Sequence, residues 1–415
     1  MHVLVINSGS SSIKFRLYEM QQKTLLFKGS LQRIGEAEAS SVIRKYTARG
    51  AVEECKQNVP IKDHSTGLKQ VFDFLKNNTA SIDLMKSLYA IGHRVVHGGE
   101  AFQTPTLINN TVIDAVRKIS PLAPLHNPAC LIGIETALQL CPQVPQVAVF
   151  DTAFFRTLPP HAYRYAVPET LYQDHQVRRY GFHGSSHQYI SRRAAEYFQP
   201  PQNSLRLITL HLGHGASVAA IRDGICIDTS MGMTPLAGLM MGTRCGDLDP
   251  AVHFYLGRRL GMDLAQIETL LNQNSGMKGL CGVSDMREVH RLANQGDERA
   301  RLAIEMYCYQ VCKYIGSYFI ALGGLDALVF SGGVGENDTV IRQLICDKLS
   351  VLGVSVKQQV GLSDDTDIID ISAENSKVKV LVIATNEELE IARQTLSVIG
   401  REANANHVPA SDHKE

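Results

Sequence analysis

Val3-Leu4-Val5-Ile6-Asn7-Ser8-Gly9-Ser10-Ser11-Ser12-Ile13-Lys14-Phe15-Arg16-Leu17-Tyr18 is the stretch whose reading decides the fold. Residues 3–6 form an apolar run of the kind buried on both faces of a sheet. The Asn/Ser/Gly stretch that follows has the small residues of a turn, and residues 13–18 alternate apolar and polar. The pattern predicts a β-hairpin. It returns about 200 residues later, where Leu205-Arg206-Leu207-Ile208-Thr209-Leu210 runs into His211-Leu212-Gly213-His214-Gly215-Ala216-Ser217 and residues 218–224 supply the return strand and turn. Two such hairpins, each opening half of the chain and with no short period between them, predict a duplicated domain rather than a solenoid.

Working outward, residues 146–150, 325–330 and 378–383 read as further buried strands. They end respectively at Asp151, at Ser331-Gly332-Gly333-Val334-Gly335-Glu336-Asn337 and at Ala384-Thr385-Asn386-Glu387-Glu388. Apolar residues at helical spacing predict helices over 299–321, 339–349 and 388–399. Alternating strands and helices give an α/β class with largely covered sheets. The expected domains are 1–150 together with 386–401, and 151–385. The polar, non-periodic residues 402–415 are expected to form a disordered tail. Charged and polar residues collect just past the C-terminal ends of the strands, where α/β sheets bind ligands.

The 415 residues carry 41 Lys plus Arg against 41 Asp plus Glu, a balance that argues against broad nucleic-acid or anionic-membrane binding. No run approaches the ~18 apolar residues of a membrane span. The first residues have no basic leader followed by an apolar core, so no signal peptide is expected. Nine cysteines are scattered without a CxxC pair, and Cys308 and Cys312, at helical spacing, lack partners for a zinc site. Reduced thiols and a cytoplasmic enzyme are the expectation.

Several motifs point to anion chemistry. The two Gly/Ser turns can aim backbone N–H groups at a phosphate, although each taken singly reads as an ordinary hairpin turn. The Gly332–Gly335 stretch can let a nucleotide lie against backbone, or be a plain strand-to-helix turn. His93, Arg94 and His97 lie within one short glycine-bounded segment, His126 precedes Asn127-Pro128, and Gly181-Phe182-His183-Gly184-Ser185-Ser186-His187 holds two more imidazoles. Arg244 stands in Gly242-Thr243-Arg244-Cys245-Gly246, where glycines leave little packing role for it. A planar guanidinium suits carboxylate or phosphoryl oxygens. Any one of these histidines, taken alone, reads equally as a hydrogen-bonded core residue. Asp151 and Glu387 at strand ends are candidate Mg²⁺ ligands or helix caps. Asp247 and Asp249 read as caps for a helix beginning near Pro250.

VINSGSSSIKF, GHRVVHGGE, PLAPLHNP, FDTAFF, YGFHGSSH, HLGHGAS, MGMTPLAGLMMGTRCGDLDP, SGGVGEN and TNEEL occur here in one order. In that order they resemble the acetate kinase family of short-chain carboxylate kinases, from residue 1 to about 400. The resemblance implies duplicated actin-like, sugar-kinase-type (ribonuclease H-like) domains around a nucleotide cleft. It implies Mg²⁺, with Mn²⁺ as the alternative, ATP or ADP as co-substrate, acetate or acetyl phosphate as partner, and a homodimer. Asn7, Arg94, His126, Asp151, His183 and Arg244 would be catalytic. Asn7, Asp151 and Glu387 would organise the metal. Arg94, Val96, Leu125, Phe182 and Pro235 would hold the acid. Ser10, Ser12, Lys14, His211, Leu212, Gly213, His214, Gly215, Asp285, Met286, Arg287, Gly333, Val334, Gly335, Glu336 and Asn337 would bind nucleotide. His214 departs from the family's HLGNG turn, where Asn suits a left-handed backbone; a titratable ring there would alter phosphate affinity, more so at low pH. Alternatives are a propionate or butyrate kinase, a non-catalytic actin-like nucleotide-binding protein, and a sugar kinase using Asp151 as base.

Overall fold

The computed structural model describes residues 1–36, 38–46, 52–58, 60–78, 87–124, 126–198, 204–357 and 367–405. The chain divides into two units. Unit 1 is Met1–Ala153 with Asn386–Glu415, and unit 2 is Phe154–Thr385. The first boundary falls after Ala153 rather than after residue 150, so Asp151 belongs to unit 1 with Arg94.

In unit 1 the strands are β1 (His2–Ser8), β2 (Ser12–Glu19), β3 (Thr24–Gln32), β4 (Ser40–Tyr46), β5 (Val52–Asn58), β6 (Leu88–Val95), β7 (Thr106–Leu107) and β8 (Gln146–Phe150). They lie in the order β5-β4-β3-β2-β1-β6-β8-β7. The predicted hairpin is β1–β2, antiparallel with Ile6 opposite Phe15, and β1, β6 and β8 run parallel. One sheet face sends Leu4, Ile6, Ile13, Phe15, Leu17 and Ile91 into a core shared with Leu68, Val71 and Leu75 of the helix His64–Asn78. Each such buried side chain contributes about 1.5–3 kcal/mol.

The opposite face of the unit 1 sheet takes the helix Glu387–Ala405, because Gly92 follows Ile91 and must point the other way. A Cβ at Gly92 would sit 2.4 Å from Thr395 Oγ1 and 2.9 Å from Ile391 Cγ2. Glycine there is what lets the helix press onto β6. The helix runs through Ala405, so residues 402–405 are helical and not the start of the expected tail. Residues 406–415 of that expected tail lie outside the described residues.

In unit 2 the strands are β9 (Arg206–Leu212), β10 (Ala216–Arg222), β11 (Ile225–Thr229), β12 (Ala327–Ser331), β13 (Ile368–Asp370) and β14 (Lys379–Ile383), in the order β11-β10-β9-β12-β14-β13. Again the hairpin β9–β10 is antiparallel, while β9, β12 and β14 run parallel. The strand order β3-β2-β1-β6-β8 thus recurs as β11-β10-β9-β12-β14, which is the duplication the two hairpins predicted. The predicted helices appear as Glu298–Leu322, Thr339–Lys348 and Glu387–Ala405. Asp249 accepts from Ala251 N ahead of the helix Ala251–Leu260, as expected, whereas Asp247 binds Gly238 N and Tyr314 Oη instead.

Candidate active site

Unit 1 gathers polar groups at the ends of its three parallel strands. Asn7 comes from β1, Arg94 from β6, and Asp151 directly follows β8. Arg94 Nε donates to Asp151 Oδ1 at 3.1 Å and Nη2 to Oδ2 at 2.5 Å, while Nη1 donates to Asn7 Oδ1 at 3.3 Å. The Asp151 side chain is 1% exposed and that of Arg94 20%. Burial opposes the Arg94 charge, but Asp151 and Glu387 outweigh it and raise its pKa above the ordinary value. Of the five guanidinium N–H groups three are engaged among the described residues, and the other two can meet an incoming anion.

Glu387 arrives from the far end of the sequence. Asn386 caps its helix by accepting from Leu389 N at 3.2 Å, and is itself held by Arg16 Nη1 at 2.8 Å and Tyr18 Oη at 2.9 Å. Arg16 also pairs with Glu388 at 3.1 Å. Half-buried and close to Asp151, the Glu387 carboxyl is raised to about 7, mainly by burial and partly by the neighbouring carboxylate. A carboxylate pair of this kind is relieved by a divalent cation. The oxygen-only donors Asn7, Asp151 and Glu387 fit Mg²⁺, which takes one or two carboxylates with waters and phosphate oxygens.

The other histidines and predicted residues of unit 1 are placed as follows. Val96 is buried, His126 is half-buried at the start of the helix Asn127–Leu140, and Leu125 lies outside the described residues. His97 holds structure together. Its backbone N–H and carbonyl bond the Asn127 amide at 3.1 and 3.0 Å, and its Nδ1 accepts from Gly99 N at 2.9 Å. His93 is buried against Gln146 Oε1 at 2.7 Å, and burial lowers its pKa to about 4. Ser10, Ser12 and Lys14 sit on or beside the β1–β2 turn, exposed or half-exposed. Lys14 lines a concavity of about 380 Å³ on the same sheet with Arg16, Lys28 and Arg44.

Unit 2 has a larger cavity, about 800 Å³. Eight of the predicted nucleotide residues line it: Gly213, His214, Asp285, Met286, Arg287, Gly333, Val334 and Asn337. Asp285 caps the helix Met286–Asn294 and is lowered to about 2 by its own bond to Arg287, with Nη2···Oδ2 at 2.5 Å. Two predicted residues turn away. Leu212 is wholly buried. Glu336 faces inward, its Oε1 accepting from Gly332 N at 2.9 Å and Thr385 N at 3.0 Å. The reason is local: residues Gly332–Asn337 fold as a short helix, not an open loop, so side chains four apart point the same way. Sequence reasoning missed Met241, Gly242, Met277, His290 and Tyr307 on the cavity wall. His290 was within reach of such reasoning, since it lies one helical turn beyond Met286.

Beside that cavity stands a second constellation. His183, in a left-handed conformation (φ 60°, ψ 29°), heads the helix Gly184–Tyr197 and packs its ring 4.4 Å from that of His211. His211 Nδ1 bonds Ser186 Oγ at 2.7 Å, and Ser186 bonds Thr385 Oγ1 at 2.8 Å, so His211 supports this cluster and does not line the cavity. Arg244 donates from Nη1 to the carbonyl of Pro235 at 2.7 Å. A Cβ at Gly215 would lie 2.9 Å from Arg244 Nη2 and 3.2 Å from His183 Nε2, so glycine leaves open the space onto which both cationic or donor groups converge. Burial lowers the pKa of Arg244, and no carboxylate pairs with it among the described residues. Phe182 is fully buried nearby in sequence, and Pro235 is half-buried.

His214 departs from expectation. Its φ is not positive; among the histidines described, His183 is the left-handed one. Its ring lies over Gly242, within 2.8–2.9 Å of where a Cβ there would be. Burial first, and Arg244 second, lower its pKa, so it stays neutral near pH 7.

A family model described as the acetokinase family matches residues 2–393. The chain belongs to the acetokinase family. It is 48% identical to an acetate kinase of Syntrophobacter fumaroxidans, covering 97% of this chain and 98% of that one. It is 46% identical to an acetate kinase of Campylobacter jejuni, covering 97% and 100%. Among solved structures it is similar to a propionate kinase from Francisella tularensis, with TM-score 0.88, 42% identity and coverage of 96% and 99%. It is similar also to the Porphyromonas gingivalis acetate kinase, with TM-score 0.86, 42% identity and coverage of 96% and 99%. Membership makes the chain a kinase, with ATP or ADP as co-substrate. Its two sheets are those of the duplicated actin-like, sugar-kinase-type fold.

Proposed function

We propose that this chain is an acetate kinase, transferring the γ-phosphoryl group of ATP reversibly to acetate to give acetyl phosphate and ADP. The observation that carries the reading is Arg244: a half-buried guanidinium without a carboxylate partner among the described residues, converging with His183 on the open space at Gly215. A protein that only bound nucleotide would have no use for an unpaired cation there, so this speaks against the actin-like alternative.

Acetate is ionised at neutral pH and needs no general base. One carboxylate oxygen forms the new bond to phosphorus in line as the bond from phosphorus to the ADP oxygen breaks, and no proton has to move. The obstacle is repulsion between anions, so charge and positioning supply the catalysis. In this reading Arg244 and His183 donate to the phosphoryl oxygens. Arg94, held rigid by its fork on Asp151, offers its remaining N–H groups to the carboxylate. Asn7, Asp151 and Glu387 would hold Mg²⁺, which when bound offsets the negative charge of the phosphates. From the resemblance, Val96, Leu125, Phe182 and Pro235 would limit the acid to a short chain. A homodimer acting in the cytoplasm belongs to the same proposal. The exposed Phe254, Tyr255, Leu260 and Leu264 on neighbouring helices of unit 2 support a dimer face.

The test is a hydroxamate assay for acyl phosphate with ATP, Mg²⁺ and acids from formate to butyrate. Acetyl hydroxamate in preference to the longer acids is expected. Product only with propionate or butyrate would reassign the acid, and no product with any acid would remove the enzyme reading.

A further inference from the structure

Behind His183, unit 2 holds a file of buried polar side chains. Thr209 Oγ1 lies 2.8 Å from His187 Nδ1, His187 Nε2 lies 2.8 Å from Ser217 Oγ, and Ser217 Oγ lies 2.8 Å from His183 Nδ1. Thr209, His187 and Ser217 are each fully buried. Ser217 has one proton and faces two imidazole nitrogens. Burial, and next the neighbouring His211, hold the pKa of His187 well below its ordinary value, so His187 is neutral and carries a single N–H.

Such a file can run in two senses. In the first, the Thr209 hydroxyl donates to His187 Nδ1, His187 Nε2–H donates to Ser217, and the Ser217 hydroxyl donates to His183 Nδ1. Every proton then has an acceptor. In the second, His183 Nδ1–H donates to Ser217, Ser217 to His187 Nε2, and His187 Nδ1–H to Thr209. The Thr209 proton would then point into the core, since His187 is its side-chain partner among the described hydrogen bonds. Leaving a buried donor unmet costs its full desolvation, whereas the first sense costs nothing of the kind.

We propose that Thr209, His187 and Ser217 are positioning residues that fix His183 as its Nε2–H tautomer, so that a neutral N–H donor faces the open space shared by Gly215 and Arg244. The groups facing the His183 ring agree with this. His211 stacks at 4.4 Å, Arg244 lies across Gly215, and His187 stands behind Ser217, so a second positive charge would meet cations or imidazoles on each of these sides. Protonating His183 would also reverse the file. The proposal rests on the phosphoryl-transfer reading for its purpose, but not for its geometry: a neutral donor binds developing phosphoryl charge without having a proton to lose.

The test uses the full chain with ¹⁵N-labelled histidine rings at pH 7, and two variants. In the parent, His183 is expected to show a bare Nδ1 and a protonated Nε2. Thr209→Val keeps the shape but removes the terminal donor. It should mix the two tautomers, lower kcat about tenfold, the scale of one hydrogen bond's bias, leave KM for acid and nucleotide unchanged, and move the acid limb of the kcat profile to higher pH. Thr209→Ser should restore the parent tautomer and rate. A protonated Nδ1 in the parent, or Val and Ser variants alike in tautomer, overturns the proposal. If the parent makes no acyl phosphate, the functional reading fails while the ring spectra still decide this one.

Discussion

The two units repeat one scaffold and put opposite electrostatics on it. Each opens with an antiparallel hairpin whose first strand then pairs in parallel with a later one. At the strand ends of unit 1 the charges are compensated: Arg94 is forked onto Asp151, and Glu387 is pushed towards its neutral form. At those of unit 2 Arg244 has only a carbonyl for company, and the titratable groups around it are imidazoles. Duplication therefore supplied the frame, and side-chain divergence made one half suited to a cation and the other to an anion.

The comparison breaks most directly at the two arginines. Arg244→Ala should lower kcat/KM about 10²–10³-fold, as loss of an oxyanion donor does, yet cost little thermal stability, because it frees only the Pro235 carbonyl and orphans no buried charge. Arg94→Ala should lower activity comparably and also destabilise the fold by about 3 kcal/mol, because Asp151 is left buried without its cation. Denaturant unfolding of the two variants beside the hydroxamate assay checks both. Equal stability losses would erase the distinction between the units.

A smaller effect sharpens the picture of unit 1. His93 has its pKa depressed to about 4 by burial, so it takes up a proton more readily once unfolded. Its contribution to stability is complete above about pH 6.5 and is lost as pH falls through that value towards 4, an effect on the order of 3 kcal/mol. His93→Gln, which can still donate to Gln146, should flatten that part of the profile of unfolding free energy against pH. An unchanged slope would move the acid sensitivity elsewhere, with the buried His187 of unit 2 next in line.

Smallest of all is His214→Asn. Because the ring is neutral near pH 7, has an ordinary backbone and lies over Gly242, nucleotide affinity should change by no more than about twofold, with no trend between pH 7 and 8. A pH-dependent difference in calorimetric titration would restore a phosphate-sensing role to this histidine.

Much of this was legible in the sequence because it is local. Periodicity two in residues 13–18, the apolar runs and the return strand at 218–224 marked seven of the strands, and the two Gly/Ser turns revealed the duplication before any strand order was known. Asp151 and Glu387 could each be suspected from their places after strands, and Arg94 from its place between two histidines in a glycine-bounded segment. Their meeting could not, because Glu387 reaches Arg94 only when the helix Glu387–Ala405 packs against Gly92, nearly 300 residues earlier in the chain. The outer strands β3, β4 and β5 were invisible for a different reason: their mixed polar and apolar residues leave a weak pattern, and β5 is the sheet edge.

The sequence by itself thus determined the α/β class, the duplication, the family, and a roster of anion-binding side chains, since each depends on residue type and short spacing. Only the tertiary structure decided which charges are cancelled and which are not. Glu336 turned inward, His214 lost its reason to be charged, Arg94 gained Asp151, and Arg244 was left without a carboxylate among the described residues. Whether a charge is paired is a matter of a few ångströms between residues distant along the chain, and one sequence contains no record of those distances.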